Sequence, residues 1–464
     1  MAATPRAIPA QRVSAMLEAD RALFAQNNPR SAALAAEAVG HWLKGVPMHW
    51  MVDWGTPFPL FVESASGVEL VDADAHRYVD FCLGDTGAMF GHSPPAIAQA
   101  IAAQAARGLT TMLPGPDVAI AGRLLERRFG LPFWQVTATA SDANRSVIRW
   151  ARAATGRPKL LVMNGCYHGA VDDTFVTLEN GKPRNRPGLV GEVRDVTEFT
   201  VVIEFNDIAA LERALAGNDV ALVLAEPVMT NCGMVLPDAG YHEALRRLTR
   251  THGTLLCIDE THTISSGPGG YTATHALEPD FFVLGKPIAG GIPAAVYGWT
   301  DAVDQRIKAY LETREPGYSG IGTTLSGNAL QLAAMRVVLE QILTDEVYAA
   351  ALPLAQDLET GIAALIAHHA MAWRVVRVGL RAEIVAAPNL PRNGTEALLY
   401  AHSEVEHALH LYCLNRGVVI TPFHNMMLVC PQTRGEHVAR LLDVLDAGMA
   451  QLSERAPLRT SRHS

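Results

Sequence analysis

Leu255–Gly291 reads LLCIDETHTISSGPGGYTATHALEPDFFVLGKPIAGG. Leu255, Leu256, Cys257 and Ile258 form a continuous apolar run bounded by turn residues, the pattern of a strand covered on both faces. Asp259 and Glu260 stand at its carboxyl end. Phe281 to Leu284 repeats the pattern, and Gly285, Lys286 and Pro287 follow, so Lys286 also leaves a strand end among small residues. In open α/β sheets the carboxyl ends of the strands are where ligands bind.

A lysine at such a place suits the free-amine form that a Schiff base needs, and a nearby Asp can pair with a pyridinium nitrogen. Those are the two protein groups that pyridoxal phosphate chemistry requires. A loop carboxylate and an ordinary lysine would look the same, and from two residues alone that plainer reading carries more weight. The rest of the chain decides between them.

The 464 residues are enough for two or three domains with sizeable cores. A net charge of −9 argues against a nucleic-acid partner. The cysteines Cys82, Cys166, Cys232, Cys257, Cys413 and Cys430 are scattered, with no CxxC, and read as reduced thiols. The first residues lack the apolar core of a signal peptide, and no stretch reads as a spanning helix. The expectation is a cytoplasmic protein with neither nucleic acid nor membrane as partner.

Residues 1–79 read as helices followed by a ribbon (LFVES, VELVDAD). From 80 to 340, helical stretches at 94–107, 117–129, 143–154, 207–216 and 239–252 alternate with apolar runs at 160–163, 200–205, 220–225, 254–258, 281–284 and 294–298. Such alternation predicts an α/β fold with a mainly parallel sheet flanked by helices. Residues 341–464, after a long helix near 326–343, predict a smaller α+β domain shared with the N-terminal segment. Ala387–Thr395 reads as an exposed loop.

Four further segments carry chemistry. Thr137–Asn144 (TATASDAN) follows the apolar FWQV and opens a helix, so Thr139, Ala140 and Ser141 offer backbone N–H groups and the positive dipole end to a phosphate. Equally, Ser141 or Asp142 would simply cap that helix. In NGCYHG, Tyr167 can cover a flat ring and His168 can supply a hydrogen bond from behind, although a Tyr-His pair is more often packing. Glu226, in an otherwise apolar run, must find donors or stay protonated, and Asn231 follows it. Thr324, in IGTTLSGNAL, either binds phosphate or caps. For metals the expectation is none: His402 to Glu404 lacks the cysteines of a deaminase, and His407, His410, His368 and His369 read as surface residues. Gly267–Gly270 reads as a turn, with no strand leading into it.

Taken in order, ASGVELVDADAHRYVDF, FGHSPP, TASDAN, YHG, AEPVMTNCG, DET, GKPIAGG and TTLSGN resemble the class III aminotransferases, fold type I pyridoxal-phosphate enzymes, and particularly their glutamate-1-semialdehyde aminomutase-like branch. The likeness runs from about Pro57 to Pro431. It implies that Lys286 joins the cofactor, Asp259 keeps its ring nitrogen protonated, Tyr167 and Thr261 cover its two faces, and Ala140 and Ser141 hold its phosphate. Thr324 would reach the phosphate of the neighbouring subunit in a homodimer with shared sites, and Glu226 and Asn231 would join the polar network.

Departures bear on substrate. Ala140 stands where the family has glycine, and is strained if φ there is positive. Thr261 brings a hydroxyl where valine is usual. Trp50 or Met51, and Phe423, stand where relatives that take amino acids carry a carboxylate-binding Arg. The remaining pocket, His49, Trp50, Trp54, Asp85 and Phe423, reads as aromatic and weakly charged. The resulting expectation is an aminotransferase moving an amino group from an amine or hydrophobic amino compound to a carbonyl acceptor. The alternatives are a glutamate-1-semialdehyde-type 2,1-aminomutase and a β-amino-acid aminotransferase.

Overall fold

A computed structural model describes residues 8–453 and 455–458. The chain divides into two compact units. One comprises the chain up to Pro94, Glu346–Leu390 and the chain from Tyr400; the other comprises Pro95–Asp345 and the short return Pro391–Leu399.

The main sheet of the second unit has seven strands: β1 (Phe133–Thr137), β2 (Lys159–Met163), β3 (Thr200–Ile203), β4 (Val220–Ala225), β5 (Leu255–Asp259), β6 (Phe281–Leu284) and β7 (Ala295–Trp299). Their order is β1-β7-β6-β5-β4-β2-β3. Only β7 runs antiparallel to its neighbours; the β6–β5, β5–β4, β4–β2 and β2–β3 pairs are parallel. Every residue of β4, β5 and β6 is buried, which is why these strands read as unbroken apolar runs rather than alternating ones.

Helix α1 (Ala140–Thr155) packs on this sheet, as does the helix Tyr241–His252. α1 begins at Thr139, whose side chain accepts from the Asp142 N–H, and ends at left-handed Gly156. The cap is therefore Thr139 rather than Ser141 or Asp142.

In the other unit the predicted ribbon is present as strands Val62–Ser66, Glu69–Asp72 and Arg77–Asp80, joined by the two-residue strand Val418–Val419. Arg374–Val378, Arg381–Val385 and Met427–Leu428 make a separate three-stranded sheet. Helices Ala10–Asn27, Ser403–Leu414 and Gly435–Ser453 pack together beside them.

Two sequence expectations are corrected. His410 and His369 are buried. His369 bonds Asp446 at 2.7 Å and Ser453 at 2.9 Å, and the Nδ1 of His410 meets the Ile420 carbonyl at 2.7 Å. The 387–395 loop is not wholly exposed, because Gly394 is buried and a side chain there would collide with the carbonyl of Asn164. The helix Asp345–His368 is long and apolar enough by composition to cross a membrane. Its buried residues Tyr348, Ala351, Ala355, Leu358, Ile362 and Leu365 recur at three- and four-residue spacing, while Asp357 is exposed, so it reads as an amphipathic core helix.

Candidate active site

Asp259 and Val283 are register partners on the parallel strands β5 and β6. Lys286 lies three residues past that pair, at φ 47, in the left-handed region that only special residues occupy at ease. Gly285, just before it, abuts α1, since a Cβ there would sit 2.8 Å from the Cβ of Ala140. Strand end and helix start are thereby drawn together, with no room between them for a larger residue.

The Asp259 carboxylate is buried and fully engaged. Its Oδ2 accepts from the Nδ2 of Asn144 and faces the Nδ1 of His168, both at 2.9 Å. Its Oδ1 accepts from the Thr261 N–H at 3.1 Å and the Thr261 hydroxyl at 2.6 Å. Burial alone would raise this carboxyl, but His168, Thr261 and Asn144 outweigh it and hold it down at about 2. Burial would likewise lower His168; Cys166 and Asp259 outweigh that effect and push the ring up to about 10. The pair is anion and cation, so Asp259 is ionised throughout the neutral range.

Thr261 turns its hydroxyl toward Asp259 while accepting from the Gly285 N–H at 3.2 Å. It thus ties the acid to the residue preceding Lys286. Ala140 is the first residue of α1 and carries no positive φ, so the glycine-to-alanine departure is unstrained. The Ser141 hydroxyl accepts from the Ala170 N–H at 2.9 Å. A Cβ on Gly169 would lie 2.0 Å from that hydroxyl, so the His168–Ala170 segment presses directly on the helix start. The N–H groups of Ala140 and Ser141 lack intrahelical acceptors, as at any helix start.

Glu226 stands one residue past β4. It accepts from the N–H and hydroxyl of Thr230 and, at 3.4 Å, from Asn231. Burial raises its carboxyl, with the nearby His168 opposing. Tyr167 is half-buried in the loop after β2, and Thr324 is exposed in the 313–328 segment. Asn144 and His262 escaped the sequence reading. Asn144 lies one turn into α1; the Nε2 of His262 lies 2.6 Å from the Nζ of Lys286.

The expected pocket residues belong to the other unit. The rings of His49 and Trp50 touch, Trp54 meets His410 edge-on, and Phe423 lies against His424. Asp85 lies 3.6 Å from Arg381, a buried guanidinium that the sequence reading overlooked. Glu383, also buried, takes Arg381 Nε and Nη2 at 2.9 and 2.7 Å. With two carboxylates matched to it, Arg381 is not an open fork for a substrate acid.

An ionised acid and an amine at adjoining strand ends give a pyridine ring and its aldehyde the partners they need, which is the class of fold type I pyridoxal-phosphate enzymes. The match to the Aminotransferase class-III model covers residues 51–447. A glutamate-1-semialdehyde 2,1-aminomutase of Symbiobacterium thermophilum is 31% identical over 434 residues, 91% of this chain and 98% of that one. The crystal structure of a glutamate-1-semialdehyde aminomutase from Pseudomonas aeruginosa PAO1 superposes with a TM-score of 0.93 at 49% identity, covering 96% of this chain and 99% of that one. An omega-transaminase from Sphaerobacter thermophilus gives 0.83 at 25% identity, over 92% and 98%. The chain belongs to the class-III aminotransferase family, and its cofactor is pyridoxal phosphate.

The residues present fit that cofactor. Besides the acid, the amine and the helix start, the Oε1 of Glu226 and the Oδ1 of Asn144 are buried without a hydrogen-bond partner, the state of groups that face a polar ligand.

Proposed function

We propose that this chain relocates an amino group within one small amino-carbonyl substrate, as a 2,1-aminomutase of the glutamate-1-semialdehyde type. The observation that carries the chemistry is the meeting of Lys286, Asp259 and the start of α1 at one sheet edge. The relatives named for that reaction support the finer reading.

When bound, the cofactor supplies a protonated pyridine ring that absorbs the charge of a carbanion. Asp259 holds the negative charge opposite the ring nitrogen, and His168, Asn144 and Thr261 fix its orientation. The N–H groups of Ala140 and Ser141, with the helix dipole, bind the phosphate. Tyr167 and Thr261 would cover the ring, and Glu226 and Asn231 would complete the polar surround. The amine of Lys286 would hold the cofactor and, when free, would serve as base and acid in turn. Thr324 serves the phosphate of a second copy in a homodimer, and the protein works in the cytoplasm.

A second reading, transfer from an amine or hydrophobic amino compound to a separate carbonyl acceptor, draws on one observation: Arg381 is already matched by Glu383 and Asp85. A single amino-carbonyl substrate given without acceptor separates the two. Sustained turnover supports the aminomutase, and a stop after one equivalent overturns it. Loss of turnover in Lys286→Ala, by about four orders of magnitude or more, is expected on both readings.

A further inference from the structure

The amine of Lys286 has a neighbour that none of the roles above employs. Its Nζ lies 2.6 Å from the Nε2 of His262. Both residues lie three positions beyond the Asp259–Val283 register pair, in the turns that leave two adjacent parallel strands. The backbone fixes the approach as well. Lys286 is held at φ 47, a conformation disfavoured for an L-residue, and Gly285 is wedged against Ala140. His262 is only 5% exposed, so water competes little for its ring nitrogen.

At that separation the two nitrogens share one hydrogen, one donating and the other accepting. An ammonium has no lone pair, and a lysine must shed a proton before it can attack a carbonyl carbon. We propose that His262 is the proton partner of Lys286. One N–H bond of the ammonium breaks, its electron pair stays on Nζ, and an N–H bond forms at the Nε2 of His262; the same transfer runs in reverse when the amine is to act as an acid. No further reactant is needed. His262 acts through Lys286 and is therefore a positioning and proton-holding residue. The inference rests on the reading of Lys286 as the cofactor lysine.

The test uses full-length protein stripped of cofactor and remixed with pyridoxal phosphate, with covalent attachment trapped by borohydride and read by intact mass. Attachment in His262→Phe is expected to slow by about 100-fold. His262→Gln, which keeps a hydrogen bond but carries no proton, is expected to be as slow, and imidazole added to His262→Ala to recover part of the rate. Affinity for pyridoxamine phosphate, which needs no covalent bond, should stay where it is in all three variants. A normal rate in His262→Phe or His262→Gln, or a matching loss of pyridoxamine phosphate affinity, would overturn the proposal. Attachment that persists in Lys286→Ala would instead sink the reading of Lys286.

Discussion

The Nδ1 of His168 and the Oδ2 of Asp259 lie 2.9 Å apart with both side chains withdrawn from water. The two residues come from different elements, the loop after β2 and the end of β5, so their pairing ties the segment that presses on α1 to the acid of the site. A lone buried carboxylate would be driven toward its neutral form. This one is held ionised by the imidazolium, the Thr261 hydroxyl and the Asn144 amide.

The pair makes stability depend on pH in a defined window. Asp259 is lowered from its ordinary 3.8 to about 2, so its contribution is present above 3.8 and fades as pH falls through 2. His168 is raised from 6.5 to about 10, so its contribution is complete below 6.5 and is lost as pH rises through 10. The Asp259–His168 contact enters both, so the two are not a sum, and Cys166 adds to the His168 end. The stability difference between the native chain and His168→Gln, both without cofactor, should therefore be largest from 3.8 to 6.5. Urea unfolding across that range checks it; a difference flat from acid to alkaline pH would count against the ion pair.

Gly169→Ala should weaken cofactor binding by two routes. Gly169 has φ 84, and a Cβ there would lie 2.9 Å from the Cα of Ser141 as well as crowding its hydroxyl. Relief of the clash must move the helix start, and pyridoxamine phosphate affinity is expected to fall by about tenfold or more, equal to about 1.4 kcal/mol. Gly130→Ala is the control: Gly130 shares the positive φ but has nothing within 4 Å. It should cost about 1–2 kcal/mol of stability and leave affinity unchanged.

Much of this architecture is written in local patterns. The runs VALVLA, LLCID and FFVL announce buried strands because parallel strands covered on both faces have no polar side to alternate with. Lys286 and Asp259 were legible as chemistry at their ends. His262 was not, since no periodicity marks it; its contact with Lys286 is made between two turns 24 residues apart. Asn144 was hidden because its partner is 115 residues away. His410 was misread although Ala408, Leu409, Leu411, Tyr412, Cys413 and Leu414 surround it with apolar residues, the mark of a helix buried on most sides. The hairpin Val176–Asn185 also carried an overlooked signal, Asn180-Gly181, both at positive φ as a two-residue turn demands.

Thr261→Val should test how the acid is tied to the strand that bears Lys286. The substitution keeps shape but removes a donor to Asp259 and leaves the Gly285 N–H without its acceptor. A buried donor left unpaired costs about 1–3 kcal/mol, and urea unfolding should show a loss of that size. The methyl that would face the ring is retained, so cofactor should still bind. Unchanged stability would mean that Gly285 has found another acceptor.

In the other unit, Arg381 offers a separate test, because Glu383 is wholly buried beside it and Asp85 borders it. Removing one member of a buried ion pair strands the other, at about 3–5 kcal/mol. Arg381→Met should therefore destabilise by about that amount, whereas Arg381→Met combined with Glu383→Gln should regain most of it, since no uncompensated charge is then left inside. Unfolding free energies of the two single variants and the double variant give the coupling directly. Additive losses would mean that the guanidinium and the carboxylate do not depend on each other. Glu383 would then not be what holds Arg381 in place.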